Sequence, residues 1–189
     1  MKLKLAMLTL VISCAAAGNA VAVTKEEYKV QKNRIEADYK AGRDKCSALK
    51  ANAKDICQSE AKGTEKTSKA ELEAKYKPTP RNDQKFKEVK ADAAYDLAKE
   101  KCDDMSGNAK DVCVKEAKAA QIASKADAKV SKVRAEGDKS SSGVAEARKD
   151  ATEDKREANY KVAKEKCDGM SGNAKDGCLS AAKAQYDMK

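Results

Sequence analysis

Residues 95–113 read YDLAKEKCDDMSGNAKDVC, and residues 160–178 read YKVAKEKCDGMSGNAKDGC. A more diverged copy, YKAGRDKCSALKANAKDIC, occupies residues 39–57. Each copy consists of a Tyr, six residues, a Cys, ten residues and a second Cys. Because the three copies align without gaps, they indicate a threefold internal repeat, which sets the architecture of the whole chain.

The residues between the two cysteines predict a turn between two helices. Asn52, Asn108 and Asn173 each precede Ala-Lys-Asp, the form of a helix N-cap followed by an acid in the first turn. Gly107 and Gly172 stand just before two of them and suit the left-handed residue that ends a helix. One continuous helix would place the cysteines of a copy about 16 Å apart, whereas a disulfide requires Cα atoms within about 7 Å. We therefore expect a helical hairpin in each copy, with the three asparagines as N-caps.

The cysteines predict structural disulfides within the copies. Removal of Cys14 with a leader would leave six cysteines, which allow fifteen pairings. The repeated spacing selects the local ones: Cys46–Cys57, Cys102–Cys113 and Cys167–Cys178. The chain has no Cys-x-x-Cys motif and no histidine, so we expect neither a redox centre nor a metal site, and no cofactor.

The hydrophobic core is expected to be thin. Only about a tenth of residues 23–189 are Leu, Ile, Val or Phe, and alanine is abundant. A narrow apolar stripe with helical spacing runs along the arms: Ile35, Tyr39, Gly42 and Cys46 in the first unit, and Ile122, Ala126, Val130 and Val133 in the second. Leu49, Met105 and Met170 occupy matching turn positions, where we expect them to plug the turns. A disulfide contributes about 3 kcal/mol for a loop of this length, a decisive share for so small a core.

The resulting fold class is all-α, with three tandem helical hairpins, each stapled by one local disulfide and joined by linkers. Pro78 and Pro80 do not suit a helix interior, and the stretch Ser140–Gly143 resembles a flexible linker. We divide the chain into a signal peptide (1–22), unit 1 (23–77), a Pro linker (78–81), unit 2 (82–139), a Ser/Gly linker (140–143) and unit 3 (144–189).

The N-terminus predicts export. A short basic segment with Lys2 and Lys4 precedes an apolar stretch, and cleavage is expected between Ala22 and Val23. Two alternatives remain open: lipidation of Cys14 to give an envelope lipoprotein, and an uncleaved membrane anchor. All three place the rest of the chain outside the cytoplasm, in the periplasm of a bacterium or in the medium.

Composition and charge indicate a protein without enzymatic activity. The chain offers no Ser/His/Asp set and no phosphate-binding glycine loop. Residues 23–189 hold 38 basic and 31 acidic side chains, a net charge of +7. Because lysine dominates over arginine, a specific nucleic-acid partner is not expected. We expect a structural or binding element for anionic envelope components such as peptidoglycan or lipopolysaccharide, or for acidic proteins. The alternative is a periplasmic stress chaperone whose loosely packed arms open.

The segments around Cys102–Cys113 and Cys167–Cys178, with their Gly-Asn-Ala-Lys-Asp motif and Ala/Lys-rich arms, resemble a set of exported β-proteobacterial proteins that are often described as TolA-like. The resemblance to TolA itself lies in the Ala, Lys, Glu and Asp composition of its helical part. It implies a location in the cell envelope and no particular activity.

Overall fold

The structure is a computed structural model that describes residues 23–137 and 141–188. The predicted leader, with Cys14 and Ala22, lies outside these ranges, and so does Ser140 of the predicted Ser/Gly linker.

The described residues form six α-helices and no strand, so the all-α prediction is confirmed. The helices are α1 (Lys25–Cys46), α2 (Ala51–Tyr76), α3 (Pro80–Cys102), α4 (Gly107–Ala135), α5 (Ser141–Asp168) and α6 (Gly172–Gln185). The disulfides join α1 to α2, α3 to α4 and α5 to α6, as the repeat predicted.

Local sequence explains where several helices begin. Thr24 and Glu27 form a capping box at the start of α1, in which the Glu27 N–H donates to the Thr24 hydroxyl at 3.2 Å. Pro80 is the first residue of α3, where its missing N–H costs nothing, and the Thr79 hydroxyl accepts from the Asn82 N–H. The chain turn between α2 and α3 is therefore shorter than the predicted Pro linker.

In the described chain, each helix packs only on the helices that precede and follow it in sequence. The helices thus form a single row in which successive helices run in opposite directions. All three disulfide turns lie along one edge of this row, and the two other turns lie along the opposite edge. Both broad surfaces of the row are open to solvent.

The buried interior is thin. Alanine supplies most of the buried apolar residues, and the largest fully buried side chains are Cys46, Cys102 and Cys167. A small cluster of Ala119, Ala158 and Val162 joins α4 to α5. Alanine buries little area, so close approach of helices replaces bulky packing.

The predicted Ser/Gly linker needs correction. Helix α5 begins at Ser141 and includes Gly143, so three of the four predicted linker residues are helical. Serine and glycine only weakly oppose a helix, and packing of α5 on α4 outweighs that preference. Consecutive hairpins therefore pack on each other through α2–α3 and α4–α5, and the units are not isolated.

Candidate interaction surfaces

The disulfides close the three turns with nearly identical geometry. Their Cα–Cα distances are 5.6, 5.7 and 5.6 Å in chain order. The first cysteine of each pair is buried and the second is partly exposed. All six cysteines of the described chain are thereby oxidised, which indicates an oxidising environment outside the cytoplasm.

The three asparagines are not N-caps, and that prediction is wrong. The cap positions of α2, α4 and α6 belong to Lys50, Ser106 and Ser171, and each asparagine is the second residue of its helix. Asn52 donates its side-chain N–H to the Glu100 carbonyl at 2.8 Å, and Asn108 donates to the Glu165 carbonyl at 2.8 Å.

The asparagine amides therefore join neighbouring hairpins. Each accepting carbonyl belongs to the last turn of the odd-numbered helix in the next unit, where carbonyls lack the regular helical partner four residues later. The Glu100 carbonyl also accepts from the Asp103 N–H at 3.2 Å. A sequence motif reveals the role of a side chain only where the partner lies nearby in the chain. The bonded residues are instead 48 and 57 positions apart.

At each junction the amide also lies against the residue two positions after the first cysteine of the next unit. Asn52 also donates to the Asp104 carboxylate at 2.7 Å. In unit 3 the corresponding residue is Gly169, and a Cβ there would lie 2.8 Å from the Asn108 Oδ1 atom. Asn173 of the last unit is exposed, and the described chain provides no following helix for it.

The turn hydrophobics face solvent, contrary to the expectation that they plug the turns. Leu49, Met105 and Met170 are 41%, 49% and 48% exposed. In each turn the backbone N–H of this residue donates to the carbonyl of the first cysteine, at 2.9 to 3.1 Å. That bond closes the turn tightly, and the side chain is left at the edge of the row.

Most lysines of α4, in the middle of the row, have an ion-pair partner. On α4, Lys125 bonds to Asp92 of α3 at 2.6 Å and Lys129 to Asp150 of α5 at 2.9 Å. Lys118 lies 5.0 Å from the centre of the Tyr95 ring. These three contacts bridge neighbouring helices, and the two ion pairs among them neutralise part of the positive charge of α4.

Helix α1 differs from α4, because one of its faces carries a continuous line of cations without carboxylate partners. Positions 25, 29, 32, 36, 40 and 43 follow helical spacing and share a face. Five of these residues are basic, and the described chain gives none of the five an ion-pair partner: Lys25, Lys29, Lys32, Lys40 and Arg43. The sixth, Glu36, is bound by Lys69 of α2 at 3.4 Å. We call this set of five the basic stripe.

A polar contact joins α1 to α2 at the end of the pair that lies opposite the disulfide. The Tyr28 hydroxyl donates to the Glu73 carboxylate at 3.0 Å, and the Tyr28 and Tyr76 rings lie 4.6 Å apart. This hydrogen bond, with help from Lys77, holds the pKa of Glu73 below its ordinary value. The same bond raises the pKa of Tyr28, because the neighbouring carboxylate disfavours the phenolate.

The seam between α1 and α2 also forms an open groove of about 380 Å³. Ile35, Tyr39, Ala61 and the Cys46–Cys57 disulfide give it a mainly apolar lining. Gly42 and Ala61 approach closely below it, since a Cβ on Gly42 would lie 3.5 Å from the Ala61 Cβ.

Within the described residues, no group of His, Cys, Asp and Glu is arranged to hold a metal ion. None of the described helices is long and apolar enough to cross a membrane. Comparison with models of known protein families, with curated proteins and with solved structures found no match to this chain.

Proposed function

We propose that this chain is a non-enzymatic protein of the periplasm that binds an anionic surface of the cell envelope through the basic stripe of α1. The observation that carries the proposal is the contrast between helices. Five of the six lysines of α4 have carboxylate partners, whereas the five cations of the stripe have none in the described chain.

The stripe suits an extended anionic surface better than a compact anion. From Lys25 to Arg43 it spans about 27 Å along the helix. Four of the five cations are lysines, which are hydrated point charges and do not select a particular phosphate geometry. Each lysine close to an anionic membrane contributes about 1 kcal/mol at moderate ionic strength. Such binding is long-ranged and is screened by salt.

The disulfides and the predicted leader support this location. Three local disulfides require an oxidising compartment, which the periplasm provides. The resemblance to TolA-like envelope proteins points to the same compartment. It does not supply a partner.

The test is co-sedimentation of the oxidised, exported protein with vesicles that contain phosphatidylglycerol. The stripe variant carries Lys25→Gln, Lys29→Gln, Lys32→Gln and Lys40→Gln. The matched control removes four lysines that the structure pairs with a carboxylate four residues away: Lys75→Gln, Lys87→Gln, Lys132→Gln and Lys161→Gln. Both variants have the same net charge, so they separate the stripe from the overall charge.

We expect the native protein and the control to bind in ~20 mM salt and to be released in ~300 mM salt. The stripe variant should bind at least tenfold more weakly than the control. Equal loss in the two variants would show that net charge alone is responsible, and binding to neutral vesicles would show an apolar mechanism. Either result, or no binding by the native protein, overturns the proposal.

The groove between α1 and α2 favours one second candidate, a stress chaperone that exposes apolar seams. This function predicts suppression of the aggregation of an unfolded client protein, together with increased binding of an apolar dye after mild heating. A protein that binds no dye up to its unfolding temperature would exclude it.

A further inference from the structure

The two junctions between successive hairpins are built in the same way. In each, an asparagine amide of one unit bonds to a carbonyl near the end of the next unit's first helix. In each, two small residues meet between the helices. A Cβ on Gly63 would lie 3.1 Å from the Ala93 Cβ, and Ala119 shares a buried cluster with Ala158.

These small residues stand at the same sequence distances from the cysteines in each unit. Gly63 and Ala119 lie six residues after the second cysteine of their units, and Ala93 and Ala158 lie nine residues before the first cysteine of theirs. The same positions recur at the two ends of the row. They are Ala184 on α6, six residues after Cys178, and Ala37 on α1, nine residues before Cys46.

The faces of α1 and α6 that are directed away from the row are called the end faces, and both are open in the described chain. Ala37 and Ala184 are exposed, and so are Asn173 and Ala41. Val30, which matches Phe86 of α3 in the repeat, is 67% exposed, the largest exposure of any large apolar residue described. At the two internal junctions the equivalent faces cover each other, whereas at each end of the described row the face is uncovered.

We propose that the occupant of both faces is a second copy of this chain. Helix α6 of one copy packs on α1 of the next, head to tail, in the register of the two internal junctions. The internal junctions are the established interface that this contact continues. Asn173 then donates to the Asp44 carbonyl of the second copy, which corresponds to the Glu100 and Glu165 carbonyls.

In the single chain the Asp44 carbonyl accepts from the Ser47 hydroxyl at 2.6 Å and from the Ser47 N–H at 3.1 Å. At the position of Ser47, units 2 and 3 have aspartate. In those units the Glu100 and Glu165 carbonyls accept from an asparagine side chain. The hydroxyl rotates freely, so it can release the carbonyl when the amide arrives.

The contact is of the heterologous kind, which produces rings or open chains of copies. It is also short. Helix α6 has 14 residues, whereas α2 and α4 have 26 and 29. We therefore expect weak association that depends on concentration, with an interface at the small end of the range for transient complexes.

The experiment is sedimentation velocity on the oxidised, exported protein and on two variants, Ala37→Arg and Ala184→Arg. Each variant blocks one end face and leaves the other intact. Ala109→Arg, at an exposed alanine of the middle helix α4, is the matched control. Circular dichroism confirms that each variant is folded.

We expect the native protein and the control to form a concentration-dependent series of oligomers, and each end variant alone to stay monomeric. An equimolar mixture of the two end variants should form dimers and nothing larger, because only one competent pair of faces remains. A native protein that is monomeric throughout, variants that associate like the control, or a mixture that stays monomeric each overturns the proposal.

Discussion

At the scale of single residues, the asparagine of the repeat shows how a short-range pattern can hide a long-range role. Its position at a helix start led to the N-cap prediction, because capping is the usual function of asparagine there. The structure uses the side-chain donor to satisfy an end carbonyl of the next hairpin instead. A sequence pattern records the residue type and its place, but not a partner many residues away.

The chain contains an internal control for this role. Asn108→Asp keeps the shape of the side chain and removes its donor, so it should destabilise the fold by about 1–2 kcal/mol. Asn173→Asp makes the same change where the described chain offers no acceptor, and it should change stability by less than about 0.5 kcal/mol. Urea unfolding of dilute protein, followed by circular dichroism, measures both. Similar losses at the two positions would contradict the junction role.

A second residue-scale prediction concerns backbone strain in the diverged first copy. Ala51 has a φ of 48°, and the residues at its place in the other two copies, Gly107 and Gly172, have φ of 57° and 54°. Because a Cβ is unfavourable in this region, Ala51→Gly should stabilise the protein by about 0.5–1 kcal/mol. Ala53→Gly, two residues later at ordinary helical φ, should destabilise it by about the same amount. The two unfolding free energies should therefore change in opposite directions, and changes of the same sign would refute the assignment of strain.

At the scale of helices, the sequence predicted the elements whose determinants are local. The cysteine spacing gave the three disulfides, and the apolar stripe with its steps of three and four gave the helices. The unit boundaries were less predictable. Ser141, Ser142 and Gly143 read as a linker by composition, yet they begin α5 because α5 packs on α4. The exposed side chains of Met105 and Met170 could not be foreseen either, since exposure depends on how the turn is closed.

Helix α6 should depend on its disulfide more than any other described helix. It has 14 residues and packs only on α5, whereas α4 packs on both α3 and α5. Replacing Cys167 and Cys178 by alanine should therefore expose the amides of α6 to rapid hydrogen exchange. Replacing Cys102 and Cys113 should cost a similar amount of stability, about 3 kcal/mol, but leave α4 protected. Equal protection of α6 with and without its disulfide would count against this dependence.

The contact between Tyr28 and Glu73 makes the α1–α2 pair sensitive to acid. The pKa of Glu73 is lowered in the folded protein from an ordinary value of 4.5. Its contribution to stability is therefore complete above that value and is lost as the pH falls through the lower, folded pKa. Tyr28→Phe removes the main cause, so the pKa of Glu73 should rise toward 4.5, although Lys77 still lowers it.

Carboxyl carbon NMR of Glu73 checks this prediction directly. As the pH falls below ~4.5, the free energy of unfolding should decrease less steeply in this variant than in the native protein. An unchanged pKa of Glu73 in Tyr28→Phe would show that the hydrogen bond does not determine it.

At the scale of the whole molecule, the row explains why so alanine-rich a chain can be ordered. Each helix needs only two narrow contact faces, and alanine and glycine allow the backbones to approach closely. Stability is then built from neighbour contacts, as in repeat proteins, with a disulfide in every unit. The same arrangement leaves two end faces and two broad surfaces open, and the proposed functions use these surfaces.

The central claim is that the helices form one row in which α1 and α6 are far apart. Small-angle X-ray scattering of dilute, oxidised protein tests it most directly. Helices about 35 Å long, set 8–10 Å apart in a row of six, predict a radius of gyration of about 20 Å. A compact bundle of the same chain would give about 15 Å, and that value would contradict the row.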